Sequence, residues 1–220
     1  LLASFLLYLT IFRTTDIIHE TASNRTVQLT LPDSSKVWLN ENTRLTYSSD
    51  FSDVRELTLT GEAFFEVQRN PSKPFVIKTS EAQIEVLGTS FNVRAYDTET
   101  RTEVYVLTGK VNFAVVDRDN DIILTAGSRG VLNNTSHTIV TGNEEHLNIT
   151  AWKNKELAFQ KTPLREVLKS VRSYFKTDIQ VKNEAVLNCR FTGSFKDPTL
   201  PEVIEAISLS LNLKVDKHSN

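Results

Sequence analysis

The sequence predicts a mainly β protein: an elongated all-β domain of stacked short strands over residues 20–145, then a small α/β module of two β-α-β repeats over 152–220. Three observations carry this. Apolar residues alternate with polar ones in short runs from Val27 to Val140, roughly every ten residues. Phe, Thr and Val are abundant, while Gly (7) and Pro (6) are few, which suits strands joined by short turns. After Trp152 the apolar period changes from two to that of a helix, and the new pattern recurs 36 residues later.

The elements follow in order. The opening Leu1 to Phe12 is apolar until Arg13. As a helix it would reach about 18 Å, short of the roughly 30 Å hydrocarbon layer. Three readings compete: the tail of a transmembrane helix, the end of a signal peptide, or a docked helix. Arg13-Thr14-Thr15-Asp16 makes a poor cleavage site, so 1–13 is read as a truncated transmembrane segment. Strand runs then begin at Val27, Leu29 and Leu31, before the turn Pro32-Asp33-Ser34-Ser35. They continue through Val37–Leu39, Leu45 with Tyr47, Leu57 with Leu59, and Ala63, Phe65 and Val67. Further runs are Phe75–Ile77, Ile84–Leu87, Phe91–Val93, Val104–Leu107, Val111–Val116, Ile122–Leu124 and Ile139–Val140. Gly109 marks a tight turn. No helical pattern interrupts them, and a stack of strands is favoured over a closed barrel because the turns recur at similar intervals.

Polar, aperiodic residues 142–148 mark the boundary. Beyond it, Leu164, Val167, Leu168, Val171 and Phe175 form one helical stripe, with Thr162 as cap and Pro163 in the first turn. Leu200, Val203, Ile204, Ile207 and Leu211 repeat the stripe behind a Thr199/Glu202 capping box. Flanking strands are expected at 157–159, 179–181, 187–195 and 213–215.

Charge and motifs narrow the function. The whole chain carries 25 basic and 27 acidic residues, so nothing points to nucleic acid. The first 151 residues hold 13 basic against 19 acidic side chains; the remainder hold 12 against 8. A single Cys189 excludes an internal disulfide and reads as a buried small hydrophobe on a strand. His19, His137, His146 and His218 share no metal-binding spacing. Glu62 and Glu66 lie four apart on a strand, about 13 Å, and read as solvent-facing carboxylates of one sheet face. Gly127-Ser128-Arg129-Gly130 is a turn, neither a phosphate loop nor a nucleophile elbow. Sequons at Asn24, Asn133, Asn134 and Asn148 imply nothing alone. The chain is therefore expected to be a non-enzyme without metal, nucleotide or covalent cofactor. An envelope carbohydrate-binding or adhesin-like β domain is the alternative; Trp38, Tyr47 and Tyr96 would be its aromatic platform, though each also fits core or rim.

Gly61-Glu62-Ala63-Phe64-Phe65-Glu66-Val67, Pro74-Phe75-Val76-Ile77 and Val86-Leu87-Gly88-Thr89-Ser90-Phe91-Asn92-Val93 together resemble the signature of FecR-type regulators. Leu31 to Asn40, Val106 to Val111 and Ala126-Gly127 fit the same pattern. Trp152, Phe159, Thr162-Pro163-Leu164 and Phe191 to Phe195 resemble the C-terminal module of Bacteroidetes-type members, similar to a secretin/TonB short N-terminal module. The resemblance covers nearly all of 25–215. It implies a single-span inner-membrane anti-sigma factor whose periplasmic part receives a signal from the signalling domain of an outer-membrane TonB-dependent transporter. It also implies that an extracytoplasmic-function sigma factor is reached only through a cytoplasmic domain missing from this chain. Such modules often carry another strand past the point where this chain stops, so the last sheet edge is expected to be incomplete.

Two surfaces of the module are candidates for docking. Arg165, Lys169, Arg172 and Lys176 form one basic stripe on the first helix, either a solvated face covering the core margin or a dock for an acidic patch. Arg190, Thr192 and Ser194 line the polar side of a strand that could accept an incoming strand if it lies at an edge.

Overall fold

The computed structural model describes residues 16–51, 54–117, 120–143 and 148–216, and the expected membrane segment lies outside them. Contacts divide the chain into two units, Leu1–Glu144 and Glu145–Asn220.

The alternating runs of unit 1 become thirteen strands, β1–β13, and no helix interrupts them among the described residues. The strand β5 (Arg55–Glu66) is the organising element. Its first half pairs with β4 (Thr43–Ser48) and β6 (Phe75–Lys78); its second half pairs with β3 (Lys36–Leu39) and β8 (Ser90–Ala95). Two sheets therefore share one strand and form a single curled surface. The first runs β1 (Ile17–Ala22), β4, β5, β6, β7 (Ala82–Val86), β10 (Lys110–Val115), β11 (Asp121–Thr125). The second runs β2 (Val27–Thr30), β3, β5, β8, β9 (Arg101–Thr108), β12 (Ser128–Asn133), β13 (Thr138–Asn143). All pairs are antiparallel except β5–β6. Successive strand pairs go alternately to one sheet and the other, so the chain builds a stack as it advances.

Sequence alternation splits residues 57–67 into two strands, but the structure joins them through Gly61. Its φ of 115° is closed to L side chains, and a Cβ there would come within 2.5 Å of the Thr43 hydroxyl and 2.7 Å of its Cα. The inward residues of both halves form one core, with Phe65 stacked on Phe91 at 5.3 Å and meeting Phe75 edge-on at 6.2 Å. Gly109, with φ of 82°, makes the expected turn between β9 and β10.

Two charged groups are buried where alternation predicts surface or strand end. Arg55, 2% exposed, donates through Nε to the Lys73 carbonyl (2.8 Å) and through its amino groups to Asp33 (2.9 Å), the Gln68 carbonyl (2.8 Å) and the Asn70 carbonyl (3.3 Å). Its guanidinium lies over the Phe75 ring. Glu62 and Glu66 do share a face, but only Glu66 faces solvent; Glu62 is 6% exposed. The Glu62 carboxylate accepts from Asn40, Asn92 and Arg94, each at 2.9 Å. Arg94 also donates to Glu99, and its guanidinium sits over the Tyr96 ring, whose hydroxyl donates to the Glu41 carbonyl. Burial by itself would lower the pKa of Arg94, but the Glu99 hydrogen bond and the charges of Glu62 and Glu99 raise it above its ordinary value. Burial, then the Glu62 charge, also pushes Tyr96 up.

In unit 2, a short helix α1 (Ala151–Asn154) leads into β14 (Glu156–Pro163), α2 (Leu164–Phe175), a 3-10 turn (Glu184–Asn188), β15 (Arg190–Lys196) and α3 (Leu200–Leu211). Strands β14 and β15 pair as an antiparallel two-stranded sheet. The apolar stripes fall as their spacing dictates: Leu164, Val167, Leu168 and Val171 of α2 and Val203 and Ile207 of α3 are buried with Leu157, Phe159 and Phe191. The expected capping box is present, with the Thr199 N–H donating to Glu202 at 2.8 Å. Those hydrogen bonds hold the Glu202 carboxyl below its ordinary pKa.

Three local expectations are corrected. Pro163, not Thr162, stands at the N-cap of α2, and the Leu164 N–H is bound by the Cys189 carbonyl at 2.8 Å. The stretch 187–189 does not extend the strand. The Asn183 side chain accepts from the Ala185 N–H and winds the chain into the 3-10 turn, which leaves Cys189 exposed instead of buried. Residues 179–181 and 213–215 form no ladder, although Ile179, Val181 and Leu213 pack on the helices and Lys182 bridges to Asp216 at 2.6 Å. The observed repeat is thus strand–helix twice, with the flanking extended segments held by side chains.

Candidate docking surface

The two candidate surfaces differ once side chains are placed. On α2, Arg165 and Lys169 are exposed; Arg165 donates to the Asn188 side chain at 2.7 Å, and Lys169 approaches Glu166 at 3.8 Å. Arg172 is half-buried and donates from Nε (3.0 Å) and a terminal amino group to the Ile179 carbonyl. It clamps the loop that follows its own helix. Lys176 is the C-cap of α2, exposed, with φ of 51°. The spacing of 4 and 3 sets Arg165, Lys169 and Arg172 along one side of α2, with Lys176 just past its end, yet Arg172 is committed to the fold.

On β15, Arg190, Thr192 and Ser194 are exposed and lie on the sheet face opposite Phe191 and Phe195. Arg190 donates to the Lys161 carbonyl at 2.7 Å, and the Thr192 hydroxyl accepts from the Lys161 N–H at 2.8 Å. Together they brace the β14 bulge between Phe159 and Thr162, where Lys161 has φ of 49°. Replacing Thr192 by Val keeps the shape but leaves that N–H without its acceptor. Unit 2 is expected to lose about 1–2 kcal/mol, read by urea dependence of amide exchange in β14 and β15.

The register settles which backbone groups point outward. Asn148 lies beside β14 and both accepts from the Ala158 N–H (2.7 Å) and donates to its carbonyl (2.9 Å). Ala158 is opposite Ser194, so this is a non-hydrogen-bonded pair, and the Ser194 N–H and carbonyl face away from β14 as well. By the two-residue alternation, those of Thr192 and Arg190 do the same. Among the described residues, no backbone group pairs with that outer edge. Sequence reasoning missed Asn148 as an edge plug, because nothing in an Asn ten residues upstream marks it as the partner of Ala158.

The aromatic residues of unit 1 are placed differently from a flat platform. Tyr47 is a core residue at 7% exposure, Tyr96 bridges to Glu41 under Arg94, and Trp38 packs against Phe64 at 5.9 Å. No group of three or more metal-ligating side chains occurs among the described residues. No helix among them is long and apolar enough to cross a membrane.

The described residues thus form a stacked two-sheet unit followed by a helix-backed hairpin whose β15 edge pairs with no described backbone group. Comparison with known proteins specifies it. Residues 18–112 match the FecR protein family, and residues 156–220 match the FecR C-terminal family. Two crystal structures of a candidate anti-sigma factor from Parabacteroides distasonis ATCC 8503, at 1.65 and 2.50 Å, are similar to this chain. Each is 31% identical, with a TM-score of 0.68, covering 92% of this chain and 95% of that one. No curated protein matches. The chain belongs to the FecR family of sigma-factor regulators.

Proposed function

We propose that this chain is the periplasmic part of a single-pass inner-membrane anti-sigma factor, with residues 1–13 belonging to its membrane span. It relays a signal, by protein–protein contact and without catalysis, from the signalling domain of an outer-membrane TonB-dependent transporter to an extracytoplasmic-function sigma factor. The sigma factor is reached through a cytoplasmic domain outside this chain. The observation that carries the reading is in unit 2, where β15 has an unpaired edge, Arg190 is exposed on the sheet face away from the core, and Arg165, Lys169 and Lys176 are exposed on α2 and its C-cap. Exposed cations and an unpaired edge suit an acidic protein partner. Unit 1 supplies a rigid β stack.

Titration calorimetry of the whole chain against a purified transporter signalling domain tests this. Binding is expected, and Arg165→Glu with Lys169→Glu is expected to weaken it at least tenfold in low salt, with the difference shrinking as salt rises. Arg172 is left intact because its substitution would loosen the 176–179 loop. No binding by the wild-type chain to the signalling domain of any transporter from the same cell would refute the relay.

A further inference from the structure

We infer that the partner engages unit 2 by adding one extended strand to the free edge of β15, and that this strand carries acidic residues at its outward-facing ends and apolar residues between. This rests on the docking role proposed above and specifies its geometry.

Four observations carry it. First, the two edges of the sheet differ among the described residues: the Asn148 side chain occupies the β14 edge at Ala158, while the outer groups of Arg190, Thr192 and Ser194 meet no described backbone. Second, the middle of β15 lacks the usual protections of an exposed edge, its only charges being the cations at its two ends. The strand is seven residues long, its only bulge lies on the opposite strand, and it contains no proline. Third, its sequence Arg190-Phe-Thr-Gly-Ser-Phe-Lys196 has a cation at each end and no acid. Both cations lie on the outward face with Thr192 and Ser194, so an added strand would set its own outward residues beside them, and opposite charges there favour pairing. Fourth, the inward face is not fully covered. Phe195 and Leu200 are only half-buried, and Gly193 leaves a gap over which the Phe191 ring lies, 2.9 Å from where a Cβ would stand. Alternate residues of an incoming strand would cover the exposed part of Phe195. Backbone pairing supplies the affinity and the alternating side chains supply the choice of partner.

The probe is the capped peptide Glu-Val-Thr-Val-Thr-Val-Glu, which reads the same in both directions and so fits parallel or antiparallel addition. With the isotope-labelled whole chain, saturating peptide is expected to slow amide exchange of Thr192 and Ser194 at least tenfold, with α2 unaffected. A peptide N-methylated at its central residues is expected to give no protection. The substitution Ser194→Pro removes an outward N–H without touching the β14 ladder, a tolerated position for proline. It is expected to keep melting close to wild type and to lose at least tenfold in affinity for the signalling domain. Protection confined to α2 or β14, equal protection by the methylated peptide, or wild-type affinity in a folded Ser194→Pro variant would each overturn the inference. So would concentration-dependent protection of β15 without peptide, which would assign the edge to a second copy of the chain. Failure of the relay reads differently: the peptide would still protect β15 while no transporter signalling domain bound.

Discussion

Substituting Arg55 by alanine is expected to destabilise unit 1 by about 3–5 kcal/mol, the range for removing one partner from a buried, hydrogen-bonded ion pair. The guanidinium is nearly inaccessible and is the common partner of four oxygens, the Asp33 carboxylate and the carbonyls of Lys73, Gln68 and Asn70. Its loss leaves a partly buried carboxylate without its cation and three carbonyls short of a donor. The effect would spread, because Asp33 also receives the Ser35 N–H (2.9 Å) and hydroxyl (2.7 Å), and the Ser35 hydroxyl accepts from the Gln68 N–H (2.9 Å). The Arg55 side chain and the Ser35 hydroxyl together tie the turn after β2 to the loop after β5. Arg55→Lys should recover only part of the loss, since an ammonium cannot match the planar fork. Denaturant unfolding of both variants, with hydrogen exchange at 67–73, checks this. A change below 1 kcal/mol in Arg55→Ala would mean that water replaces the guanidinium without cost.

What the sequence reveals about this molecule follows the range of its signals. Alternation with period two depends only on a strand's own neighbours, so nearly every strand of unit 1 was legible. The helix stripes of unit 2 were legible for the same reason, down to the Thr199/Glu202 box. Features made by distant segments were not. Arg172 belongs to a clean basic stripe by spacing, but the loop that returns over the helix takes it as a clamp. Cys189 alternates properly with Leu187 and Phe191 and is still exposed, because Asn183 starts a 3-10 turn that breaks the alternation. The candidate edge was half legible. The polar face of β15 is written in Arg190, Thr192 and Ser194, but its unpaired edge shows only in the absence of a further ladder among the described residues, and the plug on the opposite edge only in the distant Asn148.

Glu62→Ala is expected to cost unit 1 about 3 kcal/mol, somewhat less than Arg55→Ala, because Arg94 is 32% exposed and water can reach it. The carboxylate sits directly after the Gly61 bend, where β5 passes from one sheet to the other. It gathers amides from Asn40 and Asn92 and the Arg94 guanidinium, and its own N–H donates to the Thr43 hydroxyl at 2.9 Å. The turn between β3 and β4, the strand β8 and the turn before β9 thus meet at one charge. Glu62→Gln separates the two contributions. An amide keeps one accepting oxygen: placed where Oε2 stands it retains Asn40 and Arg94, and its NH2 group then faces the Asn92 NH2, which already donates. The glutamine variant should therefore recover about half of the loss in alanine, the rest being the lost charge opposite Arg94 and the Asn92 bond. Arg94→Gln should be milder than Glu62→Ala, since it leaves the carboxylate with both asparagine donors. If the Glu62→Ala and Arg94→Gln losses add in the double variant, Glu62 and Arg94 act independently; coupling above about 0.5 kcal/mol is the expected result for groups in one network.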